Sequence, residues 1–265
     1  MAVAPWHRDF PEWGVMEPIL FKGPLAHGYE RGRRLPDDAV DSWMRAARRN
    51  VPPGHAEPVL DLGAGTGRFS AALALTFGVP VTAVEPSADM RAVIPRPVDA
   101  RVHLVGGRAE AIPCRDGLFQ AVWASQVAHH IVDFDACAAE LRRVLRPGGR
   151  VLLRGGFHDE DRPPPLHHWF PGLRRLAGEG SSALAALSDA LDRVGLREQC
   201  HEVIPQVSAA SLADLLSQVE LRARSPLRRL SDQEFADGLG RLRAAVAAEN
   251  EPRPVVDQVD LVVFG

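Results

Sequence analysis

Residues 59–69 read Val-Leu-Asp-Leu-Gly-Ala-Gly-Thr-Gly-Arg-Phe, or VLDLGAGTGRF, and their reading decides the fold. An apolar run broken only by Asp61 ends in three glycines at alternate positions, Gly63, Gly65 and Gly67, and a second apolar run follows. A buried strand turning sharply into a helix has this pattern. Glycine accepts positive φ at little steric cost and leaves no side chain between the backbone N–H groups and an approaching ligand. Dinucleotide sites built on such a turn use G-x-G-x-x-G. Here the third glycine position falls on Arg68 and the spacing is G-x-G-x-G, which counts against NAD or FAD.

Outward from this turn, short apolar runs at Val59–Leu62, Val81–Glu85, Val102–Val105, Phe119–Ala124 and Arg150–Arg154 alternate with helix-like segments. Those segments are Phe69–Phe77, Ala88–Val93 and Asp135–Leu145. The alternation predicts an α/β fold with a mostly parallel sheet covered on both faces. Pro147, Gly148 and Gly149 predict a left-handed helix cap and a turn into the fifth strand. The second strand ends in Glu85, eighteen residues after Gly67, where a carboxylate accepts hydrogen bonds from both hydroxyls of a ribose.

Beyond this core, Asp37–Arg49 has helical spacing after Pro36. The Pro-rich run Arg162–Leu166 leads into His167, His168, Trp169 and Phe170, a composition suited to a connection that leaves the sheet and covers it. Ser182–Val194, Ala209–Leu221 and Asp232–Glu249 read as helices, and Val259–Phe264 reads as a closing strand.

The composition of the 265 residues narrows the function classes. Apolar residues at 46% and charged residues at 25% describe a folded globular chain. A formal charge of −3 and a pI near 6.4 do not suit a surface that neutralises phosphates, so no nucleic-acid partner is expected. No run approaches the length of a membrane span, so no membrane partner is expected either. Cys114, Cys137 and Cys200 are widely spaced, without metal-ligand spacing, which predicts a cytoplasmic protein with neither disulfide framework nor metal site. Neither a G-x-S-x-G elbow nor a G-x-x-x-x-G-K-[ST] loop occurs.

Taken in order, VLDLGAGTGRF, VTAVEPSADM (81–90), GGRAEAIP (106–113) and LRRVLRPGGRVLL (141–153) resemble the class I S-adenosylmethionine-dependent methyltransferase family over roughly residues 57–155. The resemblance is to its small-molecule members, such as the trans-aconitate and ubiquinone-biosynthesis methyltransferases. It implies a Rossmann-like seven-stranded sheet in the order 3-2-1-4-5-7-6, sandwiched by helices, with an antiparallel seventh strand at Val259–Phe264. It further implies a helical N-terminal cap over residues 1–50 and a methyltransferase domain over 51–265, with lid elements at about 158–230 after strand five.

The resemblance also assigns residues. Asp61 and the loop Gly63, Ala64, Gly65, Thr66 and Gly67 would surround the methionine portion of S-adenosylmethionine. Glu85 would hold the ribose, Pro86 would shape its turn, and Met90 would pack on the adenine. Arg108, Ala109 and Glu110 match the loop at the adenine edge. Many members carry Asp where this chain has Arg108, which leaves open the side chain that reads the adenine amino group. In FQAVWASQVAHHI (119–131), Ser125 and Gln126 would border the sulfonium, and Gln120 stands where members often have Asp. In HGYERGRR (27–34), Tyr29 and Arg33, with Arg34 as the alternative, match residues that reach the cofactor carboxylate.

The implied chemistry is in-line transfer of a methyl group to a small-molecule acceptor, with S-adenosylhomocysteine as the product. If the acceptor must lose a proton, His129 and His130 are the candidate general bases, since an imidazole titrates near neutrality. His158, His167 and His168, with Trp169 and Phe170, are candidates to line the acceptor pocket. Methylation of O, C or N stays open, as does the oligomeric state. Two further readings are a protein that binds S-adenosylmethionine without transferring its methyl group, as a binding module or cyclase, and an NAD-dependent oxidoreductase.

Overall fold

The computed structural model describes residues 35–54, 56–94, 99–157, 162–176, 178–222 and 224–265. Seven strands form one sheet in the order β3-β2-β1-β4-β5-β7-β6. They are β1 Val59–Leu62, β2 Val81–Val84, β3 Val102–Val105, β4 Phe119–Ser125, β5 Leu145–Gly155, β6 Glu198–Ala209 and β7 Val255–Phe264. Neighbouring strands from β3 to β5 run parallel, and β7 is antiparallel to both β5 and β6.

The alternation of side chains along β1 explains why the sheet is apolar on both faces. Leu60 and Leu62 join one buried cluster with Cys137, Leu141 and Val144 of α4 (Phe134–Val144) and Leu187 and Leu191 of α5 (Glu179–Arg193). Val59 joins the opposite cluster, with Trp43, Met44 and Ala47 of α1 (Asp37–Asn50) and Leu73 and Ala74 of α2 (Ser70–Phe77). A strand covered on both faces has no polar side to alternate with, so these strands read as short apolar runs. α1 also places Asp37 and Asp38 in its first turn and Arg48 and Arg49 in its last, matching the helix dipole.

Most boundaries shift by one to three residues from the sequence reading, and a few differ for a physical reason. α4 ends at Val144, and its C-cap is Leu145 in an extended conformation rather than a glycine. Leu145 pairs with Phe119 before the chain bulges, and Arg150 resumes the ladder at Ala121, so β5 begins five residues earlier than its apolar run. Gly148, at φ +73, serves this bulge and not the helix end. β6 was not read as a strand at all. It occupies the sheet edge with an alternating exposed pattern and carries Pro205, which an edge position tolerates. β7 begins four residues before Val259.

The connections after β5 and after β6 meet over one end of the sheet. Leu166, Phe170 and Leu173 come from the first; Leu215 and Val219 of α6 (Leu212–Glu220), Leu227 of the short α7 (Ser225–Arg228) and Leu242 of α8 (Asp232–Ala248) come from the second. Together they make a third buried cluster. α8 starts with a reciprocal capping box between Ser231 and Glu234. Asp260 of β7, fully buried, fixes the start of the first connection by accepting hydrogen bonds from the Phe157 N–H at 3.0 Å and the Arg162 guanidinium at 2.9 Å.

Candidate active site

The register of the parallel strands brings the sequence-singled residues to one edge of the sheet. Asp61 lies beside Ala83 and Trp123, Glu85 follows the last residue of β2, and Ser125 at the end of β4 pairs with Arg154 of β5. Carboxyl ends of parallel strands are where open α/β sheets hold ligands.

The turn after β1 folds back over β2: the N–H groups of Gly63 and Ala64 donate to the Val84 carbonyl at 2.8 and 3.0 Å. Gly63, Gly65 and Gly67 all have positive φ, at 69°, 57° and 76°. They differ in what a side chain would meet. A Cβ at Gly63 would overlap the Val127 side chain, and one at Gly67 would press on Ile94. At Gly65 the nearest atom would be the Met90 methyl at 3.8 Å, so that glycine keeps open the space in front of the loop.

Glu85 clamps this turn to the next one. One carboxylate oxygen accepts the Gly65 N–H at 2.9 Å and the other accepts the Ser87 N–H at 2.8 Å. Burial pushes its pKa above the usual carboxylate range, and the two N–H donors pull the other way. Ser87 then caps α3 (Ala88–Val93) by accepting the Met90 N–H, which sets Met90 beside the loop. Asp61 is fully buried and accepts the Ser70 hydroxyl at 2.6 Å. Burial, with the Glu85 charge adding to it, raises its pKa to about 7.

Two cavities open along this edge. The smaller, about 130 Å³, lies between Glu85, Pro86 and Met90 on one side and Arg108, Ala109 and Glu110 on the other. Glu110 closes it by accepting the Val132 N–H at 2.9 Å, and Arg108 lies 3.5 Å from Glu110. The larger, about 280 Å³, begins at Asp61, Ala64 and Thr66 and runs under the connections that follow β5 and β6. Gly63, Gly65, Ser125 and Gln126 line both, so the two are parts of one elongated site. Gln126 holds φ at +59° at this junction, with its N–H donated to the Arg154 carbonyl at 2.7 Å. A non-glycine residue in that region is uncommon, and such strain concentrates at functional sites.

Most of the sequence-predicted site residues therefore converge. Gly67 does not line either cavity and serves the turn instead, with its N–H bonded to the Ala64 carbonyl. His130 lines the smaller cavity, whereas His129 lines neither, and both imidazoles sit exposed on the short turn Ala128–His130 with ring centroids 4.0 Å apart. His167 lines the larger cavity, as do Leu166 and Leu173. Tyr29, Arg33, Arg34 and His158 lie outside the described residues. Among the described residues, no group of three or more His, Cys, Asp or Glu side chains is arranged to hold a metal ion, and no helix is long and apolar enough to cross a membrane.

Sequence reasoning missed a group that joins distant parts of the chain. The Arg154 guanidinium donates to the Ser125 hydroxyl at 3.0 Å and to the Gln206 side-chain carbonyl, which also accepts the Trp43 indole N–H at 2.9 Å. The guanidinium carbon lies 4.6 Å from the Trp43 ring centroid and 5.4 Å from that of Phe69. These residues come from α1, the glycine turn, β4, β5 and β6. Arg154, directly after the apolar run Val151–Leu153, was the one local signal of this group.

The comparisons with known proteins agree with this geometry. The Methyltransferase domain family profile matches residues 60–153, the stretch from β1 to β5 that builds the site. The chain belongs to the class I S-adenosylmethionine-dependent methyltransferase family. Among its relatives, the 27-O-demethylrifamycin SV methyltransferase of Amycolatopsis mediterranei is 30% identical over 231 residues, covering 83% of this chain and 84% of that protein. An uncharacterized methyltransferase of Mycobacterium tuberculosis is 40% identical over 139 residues, 52% of this chain, and there the match spans about half of the relative's length, 53%. In fold, the chain is similar to a provisionally assigned methyltransferase from an antibiotic biosynthesis pathway of Anabaena variabilis, with a TM-score of 0.64 at 22% identity, covering 88% of this chain and 98% of that one.

Proposed function

We propose that the protein transfers a methyl group from S-adenosylmethionine to a small-molecule acceptor. The observation that carries this reading is the junction of the two cavities at Gly63, Gly65, Ser125 and Gln126. One side is shaped for a nucleoside and the other is covered by residues of two separate connections.

The residues fit the group. Both Glu85 oxygens are positioned by backbone N–H donors, and each has a second lone pair for a ribose hydroxyl. Met90 and the segment Arg108–Glu110 border the space an adenine would fill. Gly65 leaves a cradle that a Cβ would occupy. Asp61, buried and poised near neutrality, suits a partner ammonium, which would draw its pKa down and hold it ionised. Tyr29 and Arg33 remain our candidates for the cofactor carboxylate.

When bound, S-adenosylmethionine supplies an electrophilic methyl group. The chain's own part is to hold an acceptor atom in line with that methyl at about 3–3.5 Å and to keep water out. The cluster of Leu166, Leu173, Leu227 and their neighbours provides the cover. Where the acceptor must lose a proton, His167 lines the larger cavity on the acceptor side, while the other candidates, His130 at the smaller cavity and His129 on the same turn, would have to act across the junction. The rifamycin relative supports a small organic acceptor, and we take the chain to act without a nucleic-acid or membrane partner, in the cytoplasm.

The test is incubation with methyl-labelled S-adenosylmethionine and candidate acceptors. Label in an acceptor together with formation of S-adenosylhomocysteine supports the reading. Tight cofactor binding with no labelled product across small-molecule classes would favour non-catalytic use of the cofactor.

A further inference from the structure

The larger cavity continues past the residues suited to the cofactor to a wall that β6 supplies. Gln206 and Ser208 lie two residues apart on that strand, so their side chains share one face, and both line the cavity. Gln206 is 6% exposed. Its side-chain oxygen accepts two hydrogen bonds, one from the Trp43 indole N–H at 2.9 Å and one from the Arg154 guanidinium.

Neither of those groups can accept, which settles the orientation of the amide: a flipped side chain would set its NH2 against an indole N–H and a guanidinium. The NH2 is therefore the end that Gln206 presents to the cavity it lines. Among the described residues this NH2 has no hydrogen-bond partner, and its nitrogen is not closed off from solvent. A donor on so nearly buried a residue costs stability unless a ligand or solvent meets it. Ser208 is engaged differently. Its hydroxyl donates to the Val255 carbonyl at 3.2 Å and shows the cavity lone pairs, which leaves Gln206 as the donor of the two. Leu166, Leu173 and Val259 make the neighbouring wall apolar. Arg154 also donates to the Ser125 hydroxyl at 3.0 Å, so one guanidinium ties the amide to the junction of the two cavities.

We propose that the methyl acceptor carries an uncharged carbonyl oxygen on a largely apolar body, and that the Gln206 NH2 reads it. This rests on the methyltransferase reading above and adds the substrate class. An amide donor brings no charge of its own, so it suits a neutral oxygen better than an ion taken out of water. Gln206 then selects the acceptor and sets the distance of its carbonyl from the junction.

The experiment uses the full chain saturated with S-adenosylhomocysteine, whose own binding is measured first by calorimetry in each protein. Two rigid bicyclic probes of similar size are titrated into the complex: coumarin, whose carbonyl only accepts, and indole, whose N–H only donates. Coumarin is expected to bind at millimolar concentration or below. Gln206→Glu keeps an oxygen for Trp43 and Arg154 and turns the NH2 into a second oxygen. The ratio of coumarin to indole affinity should fall by about tenfold in that variant, since one hydrogen bond is lost and the opposite one is gained. Gln206→Met, which offers neither, should give an intermediate ratio. Should neither variant fold, the Gln206 side-chain NH2 signals of the unaltered chain, followed by heteronuclear NMR, should move with coumarin and stay in place with indole. Coumarin that fails to bind at millimolar levels, a ratio unchanged in a folded variant that still binds S-adenosylhomocysteine, or NH2 signals that coumarin leaves in place would each overturn the proposal while leaving the methyltransferase reading in place. Failure of the unaltered chain to bind S-adenosylhomocysteine would remove both.

Discussion

Asp61 is held at a cost that one substitution makes visible. Its pKa of about 7 in the folded chain against 3.8 for an ordinary aspartate means that, between those two pH values, the folded state keeps a proton the unfolded state has given up. A folded state that binds more protons loses stability as pH rises. The contribution of Asp61 is therefore neutral below about pH 4, grows more unfavourable up to pH 7, and is constant above. About three pH units at 1.36 kcal/mol each amounts to about 4 kcal/mol of destabilisation at pH 8. Asp61→Asn keeps the shape and an oxygen for the Ser70 hydroxyl but has nothing to ionise. Urea unfolding of both proteins without ligand, from pH 4 to pH 8, should give equal stabilities at the acid end and an advantage for Asp61→Asn that rises towards about 4 kcal/mol at pH 8. The same variant should bind S-adenosylmethionine more weakly, because the partner for its ammonium is gone. A stability difference that does not change with pH would refute the reasoning, since only the ionisation of Asp61 makes it pH-dependent.

Four further substitutions probe other parts of the molecule. Glu85→Gln should weaken S-adenosylhomocysteine binding by about 1–3 kcal/mol, the range for losing a charged hydrogen-bond partner, and unchanged affinity by calorimetry would contradict the ribose assignment. Gly65→Ala should reduce folding stability by only about 1–2 kcal/mol, because φ is +57° but the added methyl meets nothing closer than 3.8 Å, while cofactor affinity falls much further. Gly63→Ala should cost more in urea unfolding than Gly65→Ala, because Val127 stands in the way. Asp260→Ala should destabilise the chain by about 1–3 kcal/mol, since it removes the acceptor shared by the Phe157 N–H, the Arg162 guanidinium and the His201 ring, and a loss below about 1 kcal/mol would mean that the connection after β5 is anchored elsewhere.

The sheet order followed from the family resemblance, whose motifs at the glycine turn and Glu85 are local signals that depend on few neighbours. β6 was not legible, because an edge strand needs no continuous apolar run, and Pro205 argued against one. β5 gained its first residues through a bulge that only its pairing with β4 reveals. Glu85 was singled out by its position at the end of the second strand, and Met90 and Ser125 by the family resemblance; the structure places all three on the wall of the smaller cavity. Trp43, Arg154 and Gln206 meet only after α1, β5 and β6 are assembled, and no spacing rule connects positions so far apart. The cover has the same origin, since Leu166 and Leu227 come from different connections and share one cluster.

The central claim is that the junction beside Gly65 seats an adenosyl sulfonium clamped through Glu85. Calorimetric titration of the purified chain with S-adenosylmethionine, S-adenosylhomocysteine and NAD measures it directly. The account predicts saturable binding of the first two in competition with each other and none of the third; protein that stays inert to both sulfur compounds at millimolar concentration, or that prefers NAD, would contradict it.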